Sequence, residues 1–298
     1  SLHDALPIFV DFIAEKFDST WAWKKIKAEI NSVKPLSTDF IQLQLRPNKN
    51  FNFQAYQAGQ SVLVTAIIGG VRQQRSYSVV QVSPQGLLSI AVKKQGAVSN
   101  ALTSLALGGI VEISQPQGDF VLKPTERANL MIASGSGITA IYALLNSHLL
   151  SSSKPVDLLY FSRDNAYAAE LLALAEHYPQ FKLHLINTSQ QKQHLDQALL
   201  ELLVDGFMQR ECYVCGASSM MQSVQQIYQH AGLTAQLHTE YFQIPADETL
   251  AEQPVKFLRS QQAFQAKSNL LESAEQAGLR PAHGCRMGIC NTCSCTKV

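Results

Sequence analysis

From residue 129 to residue 231, apolar β-rich segments alternate with segments of helical periodicity. An order of strand, helix and strand requires crossover connections, which produce a parallel sheet with helices on its faces. The sequence therefore predicts an α/β doubly wound nucleotide-binding domain over residues 124–247. We predict strands at 129–134, 156–162, 182–188 and 211–215, with helices from the Gly loop to about 150 and at 166–177, 195–204 and 218–231.

Residues 30–123 have a different pattern. Residues 39–45 alternate apolar and polar side chains with period two, and β-rich runs follow at 61–65 and 87–92. Short strands separated by glycine and proline predict a small antiparallel β-barrel. We expect residues 1–29 to form a lead-in that packs on this barrel. Residues 1–8 resemble translated adapter sequence, and we expect them to be non-native.

Three cysteines near the end of the chain have the spacing Cys285-x4-Cys290-x2-Cys293. This is the plant-type spacing for a 2Fe–2S cluster, in which thiolates converge on the irons from one tight loop. A hairpin at 255–259 and 263–267 and a helix at 270–277 are predicted before it. We therefore expect residues 248–298 to be a partial β-grasp ferredoxin domain.

The cluster needs a fourth ligand, and few residues remain after Cys293. We expect a truncated domain whose fourth cysteine is missing, although Cys295 also has a spacing that allows ligation. One alternative is a zinc ribbon that pairs Cys290 and Cys293 with Cys212 and Cys215, but about 75 residues separate the two pairs, against 15–20 usually. A cysteine-rich surface loop is the other alternative.

Composition excludes several classes of function. The 298 residues carry 24 Lys and Arg against 23 Asp and Glu, a balance that argues against a nucleic-acid partner. We find no apolar stretch that reads as a membrane-spanning helix and no secretory signal. Clustered cysteines without such a signal indicate a reducing compartment. We expect a soluble, cytoplasmic protein.

Two glycine turns precede predicted helices, and free N–H groups at a helix start favour an anion. The first contains Gly96, Val98 and Ser99, where Ser99 either caps the helix or binds a phosphate. The second lies after the first strand of the doubly wound domain, where glycines allow a pyrophosphate to approach the backbone. Its candidate residues are Gly135, Gly137 and Thr139.

Two further strand ends carry candidate residues. Arg163 and Asp164 follow the second parallel strand, where Arg favours the 2′-phosphate of NADPH and an acid favours NADH. We favour NADPH, with NADH as the alternative. Cys215 and Gly216 end a later parallel strand, where ligands bind in such sheets. A redox role for Cys212 and Cys215 is an alternative.

The segment Arg75-Ser76-Tyr77-Ser78, which we expect to follow a barrel strand, resembles the flavin motif of the ferredoxin–NADP reductase superfamily. The order of barrel, nucleotide domain and cysteine loop resembles its flavodoxin/ferredoxin reductase type with a fused C-terminal 2Fe–2S domain. Among these the chain looks most like reductases that serve bacterial fatty-acyl desaturases. The resemblance implies that Arg75 binds the flavin pyrophosphate, Tyr77 packs on the isoalloxazine ring and Ser78 lies near N5.

The resemblance also assigns roles to the other candidates. It implies that Gly96, Val98 and Ser99 bind the flavin diphosphate, that Cys215 and Gly216 lie beside the nicotinamide, and that Glu240 lies beside the ring. The expected catalytic residues are Ser78, Cys215 and Glu240. The remaining cofactor-binding residues are Arg75, Ser76, Tyr77, Gly96, Val98, Ser99, Gly135, Gly137, Thr139, Arg163 and Gly216, and the metal ligands are Cys285, Cys290 and Cys293.

The implied function is electron transfer from NAD(P)H through FAD and a 2Fe–2S cluster to a separate iron enzyme. That partner is expected to be a desaturase, oxygenase or hydroxylase, either soluble or membrane-bound. One alternative is a reductase that acts directly on a small acceptor such as a quinone or oxygen. Another is a non-enzymatic remnant that has kept only the fold.

Overall fold

The chain forms a β-barrel, a parallel α/β sheet and a C-terminal hairpin with a helix. These three parts follow one another along the chain in that order. The computed structural model describes residues 20–189, 195–242, 250–267, 269–281, 293, 295 and 296.

Six antiparallel strands close the barrel in the order β1-β2-β5-β4-β3-β6, as predicted. One short helix, α1, lies between β5 and β6. The elements are β1 (Ile26–Ser37), β2 (Phe40–Pro47), β3 (Ser61–Ile68), β4 (Val71–Val82), β5 (Leu88–Lys93), α1 (Ala97–Thr103) and β6 (Ile110–Ile113).

Two expectations about the barrel need correction. Strand β1 begins at Ile26, inside the expected lead-in, and alternation of buried and half-buried residues from there carries it into the barrel wall. The segment from Arg75 to Ser78 lies within β4 and does not follow a strand. Its polar side chains are compatible with a strand because each wall of a small barrel has an outer face.

The second domain is a five-stranded parallel sheet with the order β11-β10-β7-β8-β9. Separate hydrophobic clusters cover its two faces, which confirms the doubly wound prediction. The elements are β7 (Asn129–Ser134), α2 (Ile138–Ser151), β8 (Val156–Ser162), α3 (Ala168–His177), β9 (Phe181–Asn187), α4 (Gln197–Leu203), β10 (Glu211–Cys215), α5 (Ser218–His230) and β11 (Leu237–Glu240).

The strand order reverses between β7 and β10. After β7 the chain crosses to β8 on one side, and it later returns to β10 on the other. In doubly wound sheets the crevice beyond the strand ends at this point is where ligands bind. The glycine loop after β7 and the Cys215-Gly216 pair at the end of β10 therefore meet at the expected ligand-binding edge.

The barrel packs directly on the parallel sheet. Phe40 of β2 lies edge-on to Tyr167 at 6.4 Å between ring centroids, and Phe120 lies edge-on to Tyr213 at 6.1 Å. One hydrophobic cluster contains Val80 of the barrel and Cys215 of the sheet. This shared core joins β4 of the barrel to the α/β domain.

The C-terminal part has the predicted hairpin and helix. Strands β12 (Gln253–Phe257) and β13 (Gln262–Ala266) are antiparallel, and α6 (Leu270–Gln276) packs on them through Phe264, Ala266 and Ala274. These elements do not by themselves show a ferredoxin domain. No helix in the described ranges is both long and apolar enough to cross a membrane.

Candidate functional site

The loop after β7 fits closely under the end of β10. Gly135 to Gly137 form one tight turn that leads into α2. A Cβ atom added to Gly137 would lie 2.1 Å from the carbonyl oxygen of Cys215 and 2.7 Å from the amide nitrogen of Gly216. Only glycine allows this approach, so the two strand ends form one continuous backbone surface.

Gly216 makes the matching contact from the other side. Its φ is +155°, and an added Cβ would lie 2.2 Å from Ser134 Oγ. The Ser134 hydroxyl accepts a hydrogen bond of 2.7 Å from the amide of Ala217. Ser134 is a site residue that sequence reasoning missed, because its partner lies 83 residues further along the chain.

The start of α2 is stabilised from within the loop. Thr139 is buried, and its hydroxyl donates to the carbonyl of Ser136 at 3.0 Å. The first turn of α2 carries no acidic residue. Thr139 thus orders the turn, while the backbone N–H groups and the helix dipole favour an anion there.

Cys215 and Glu240 end adjacent parallel strands and are paired in register. Both are buried, and Glu240 Oε2 has no hydrogen-bond partner among the described residues. Burial raises the pKa of Glu240 to about 8, and burial together with Glu240 raises the pKa of the Cys215 thiol well above its ordinary value. Near pH 7 both groups are therefore mostly protonated.

The polar segment of β4 presents two faces, because side chains alternate along a strand. Ser76 and Ser78 share one face with Val80, which packs in the cluster that contains Cys215. Ser76 donates to Ser61 at 2.8 Å, whereas the buried Ser78 Oγ has no hydrogen-bond partner in the described structure. Ser78 thus lies on the face that turns toward the nucleotide domain.

Arg75 and Tyr77 share the other face of β4. Arg75 is half-buried and donates to the carbonyl of Gln74 at 2.7 Å. Tyr77 packs against the barrel core, and burial raises its pKa to about 12, while the Arg75 charge opposes the rise. The structure therefore does not bring all four motif residues to one face of the strand.

The turn before α1 holds its own serine. The Ser99 hydroxyl accepts from the amides of Gln95 and Gly96, both at 3.0 Å, and donates to the carbonyl of Gly96 at 2.9 Å. Its bonding capacity is used, so Ser99 caps the helix. The side chain of Val98 is buried in the barrel core. An anion here would meet backbone N–H groups and not these side chains.

Arg163 and Asp164 differ sharply in environment. Arg163 is exposed, whereas Asp164 accepts hydrogen bonds from Lys93 at 3.0 Å and from Ser162 at 3.0 Å. Burial opposes ionisation of Asp164, but these two bonds and the Lys93 charge hold its pKa below the ordinary value. Arg163 and Asp164, the alternative nucleotide contacts predicted from the sequence, therefore differ in availability. Arg163 is exposed, and Asp164 is engaged in hydrogen bonds within the protein.

Comparisons with known proteins agree with this arrangement. Residues 27–122 match the family model described as an oxidoreductase FAD-binding domain. Residues 113–237 match the N-terminal domain of the dimethylamine monooxygenase subunit DmmA-like family. An NADPH oxidoreductase of Mycobacterium tuberculosis is 29% identical, over 96% of this chain and 79% of that protein.

The chain is an oxidoreductase with an FAD-binding domain, and its fold is that of the ferredoxin reductases. It is similar to the glycine betaine monooxygenase reductase subunit of Chromohalobacter salexigens, with 29% identity over 82% of this chain and 77% of the relative. The solved structure of phthalate dioxygenase reductase has the same fold, with a TM-score of 0.67, 22% identity and coverage of 90% of this chain and 85% of that one.

The oxidoreductase has two buried oxygens that fit its cofactors. Ser78 Oγ and Glu240 Oε2 are buried without partners in the described part of the chain. Ser78 lies two residues before Val80, Glu240 is paired with Cys215, and Val80 and Cys215 belong to one hydrophobic cluster. Buried polar atoms are normally hydrogen-bonded, and these two are free to bond to a ligand. A flavin and a nicotinamide offer donors and acceptors for them, and the residues present therefore fit these groups.

The predicted metal ligands are only partly within the described residues. Cys293 and Cys295 are exposed, whereas Cys285 and Cys290 lie outside the described residues. Within the ranges described, no three His, Cys, Asp or Glu side chains are grouped to hold a metal. The 2Fe–2S cluster stays a prediction from the cysteine spacing.

Proposed function

We propose that this oxidoreductase takes electrons from NADPH, with NADH as the alternative, onto FAD and passes them through a 2Fe–2S cluster to an iron-dependent oxygenase, hydroxylase or desaturase. One observation carries the first half of this proposal. The buried oxygens of Ser78 and Glu240, which have no partner among the described residues, belong to different domains, and one hydrophobic cluster contains both Val80, two residues from Ser78, and Cys215, which is paired with Glu240. Such a junction suits two rings that must lie against each other.

On the nucleotide side, backbone rather than side chains would hold the pyridine nucleotide. Gly135 and Gly137 have no side chains, so the pyrophosphate could approach the backbone of the loop after β7 closely. The free N–H groups at the start of α2 favour its negative charge. Thr139 and Ser134 order this surface from within. Gly216 leaves the end of β10 open for the nicotinamide, with Cys215 beneath it.

On the barrel side, Arg75 would bind the flavin pyrophosphate, since a guanidinium matches phosphate oxygens in a planar, bidentate way. Tyr77 supplies an aromatic surface, and Ser76 orders the strand through Ser61. The Gly96 turn would add backbone N–H groups, with Ser99 holding its shape. Bound FAD would accept a hydride from the nicotinamide and release the electrons singly.

Glu240 would hold a proton at this junction. Its carboxyl group is buried and mostly protonated at neutral pH, so it can donate a hydrogen bond toward a ring. Cys215, paired with it in register, is a buried and neutral thiol.

The acceptor half of the proposal rests on the cysteine spacing and on the relatives. Cys285, Cys290 and Cys293 would ligate the cluster. Similarity to a monooxygenase reductase subunit supports an oxygenase as the electron acceptor. Clustered thiols favour a reducing, cytoplasmic location.

The test is an anaerobic visible spectrum of the purified chain before and after addition of NADPH, repeated with NADH. We expect flavin bands near 450 nm that bleach at once, because hydride transfer needs no other component. Bands that do not bleach with either nucleotide, or the absence of flavin, would overturn the proposal in favour of a fold remnant. Iron and acid-labile sulfide analysis tests the cluster separately, and rapid reoxidation by a quinone without iron present would favour the small-acceptor reductase.

A further inference from the structure

Asp164 lies just after β8, at the end of the second parallel strand, where doubly wound domains bind the ribose of a dinucleotide. In doubly wound sheets an acid near the end of the second strand binds the ribose 2′-hydroxyl, and a nearby Arg accommodates a 2′-phosphate instead. This chain has Arg163 and Asp164 side by side after β8. The choice between the two nucleotides therefore depends on which side chain is available to the ribose.

Both oxygens of the Asp164 carboxylate are engaged within the protein. Oδ2 accepts from Lys93 Nζ at 3.0 Å, and Oδ1 accepts from the Ser162 hydroxyl at 3.0 Å. The single hydrogen of the Ser37 hydroxyl is shared between Asp164 Oδ2 at 3.4 Å and Asp39 Oδ1 at 3.3 Å. Lys93 ends β5 and Ser37 ends β1, so two of these three donors belong to the barrel. The carboxylate is thus directed across the domain interface.

The loop around Asp164 is held in the same direction. The amide of Asn165 donates to Ser162 Oγ at 2.9 Å, and Asn165 has a left-handed backbone with a φ of +53°. Two residues later, the Tyr167 hydroxyl donates to Gln42 of the barrel at 2.8 Å. These contacts fix the loop on both sides of the Asp164–Lys93 pair.

We propose that Lys93 is a positioning residue that sets the preference for NADPH by holding Asp164 against the barrel. This inference rests on the proposed function. With Asp164 bound and neutralised, the exposed Arg163 is the charged side chain of this strand end that can meet a 2′-phosphate. Without Lys93, a free carboxylate would accept from the 2′-hydroxyl of NADH and repel the 2′-phosphate of NADPH.

The experiment measures anaerobic flavin reduction by NADPH and by NADH in wild type, Lys93→Met and Lys34→Met. Wild type should prefer NADPH, and Lys93→Met should lower about tenfold the NADPH/NADH ratio of the flavin-reduction rate constant divided by the nucleotide Kd, mainly through Kd. Lys34→Met is the matched control, since Lys34 pairs with Glu170 across the same interface but away from the strand end. It should leave the ratio within about twofold.

A double variant separates positioning from loss of interface stability. Lys93→Met combined with Asp164→Asn should restore the NADPH preference, because the repelling charge is gone. Lys93→Arg and Asp164→Asn alone should both keep it. Should Lys93→Met not fold, these two variants decide, and loss of the preference in either overturns the inference.

Three other outcomes overturn it as well: a wild type that prefers NADH, an unchanged ratio in Lys93→Met, or a double variant that fails to regain the preference. A wild type whose flavin is bleached by neither nucleotide would instead refute the proposed function. The two failures are therefore distinguishable in one set of measurements.

Discussion

Gly137 lies directly beneath the carbonyl group of Cys215, so that a Cβ added to Gly137 would stand 2.1 Å from that oxygen. The contact joins the first strand of the sheet to the strand on the other side of the switch point. It makes the floor of the nucleotide crevice from backbone atoms. The most important spatial relationship in the site is thus between residues of widely separated segments.

Gly137→Ala should destabilise the chain and weaken nucleotide binding together. The methyl group cannot be accommodated without a shift of backbone, and overpacking of this kind costs about 1–3 kcal/mol. Urea unfolding gives the free energy of unfolding, and titration with NADP⁺ gives the binding constant. Ser136→Ala, one residue earlier in the loop, is the control and should change stability little; equal effects in both variants would contradict the argument.

Glu240→Gln should remove a pH dependence of stability. The folded-state pKa of Glu240 is about 8, above its ordinary value of 4.5, because burial disfavours the charged form. Between pH 4.5 and 8 the folded state binds the extra proton, so this group makes the free energy of unfolding fall as pH rises. The loss is about 1.4 kcal/mol per unit of pKa difference.

Thermal unfolding of wild type and Glu240→Gln from pH 4 to pH 9 tests this. Glutamine cannot ionise, so the Tm of the variant relative to wild type should increase with pH and level off above about pH 8. A Tm difference that is constant across the range would show that the carboxyl group ionises normally in the folded protein.

Arg75→Ala should weaken flavin retention. A hydrogen bond to a charged group contributes about 1.5–3 kcal/mol, so the flavin Kd should rise at least about tenfold. The ratio of absorbance at 450 nm to that at 280 nm after dialysis measures the retained flavin. Arg72→Ala is the control on the same strand: its exposed ion pair with Glu112 contributes little, and full flavin occupancy in Arg75→Ala would refute the phosphate role.

Arg163→Ala should raise KM for NADPH about tenfold with little effect on KM for NADH. The guanidinium is exposed beside the strand end, and a 2′-phosphate offers it a charge that NADH lacks. Steady-state kinetics with both nucleotides makes NADH the internal control. Equal changes for both would show that Arg163 does not discriminate between them.

The strands of the parallel sheet show which elements the local sequence pattern can predict. Residues 129–134, 156–162 and 211–215 were predicted as strands and have those bounds, because each is a continuous apolar run between turn signals. Strand β11 was not predicted, since four residues with three polar side chains give no such signal. It forms because it completes the edge of the sheet beside β10.

The site residues also divide into those that the sequence predicts and those that only the structure identifies. The sequence was enough to propose the glycine loop after β7, the motif from Arg75 to Ser78 and the Cys215-Gly216 pair, because each is a short motif. The role of Ser99 could not be decided there; its hydrogen bonds within the turn show that it caps the helix, and its part in flavin binding stays a prediction. The bonds of Ser134 and Asp164 were also beyond sequence reasoning, because their partners come from other elements.

The sequence by itself determined the order of barrel and doubly wound sheet, since hydrophobic periodicity is a local property of each segment. It also determined which residue types were available at each strand end. The tertiary structure decided which of them meet: Gly137 under Cys215, Cys215 beside Glu240, and Asp164 on Lys93. Contacts between distant segments depend on sheet order, strand register and domain packing, and no local pattern encodes those distances.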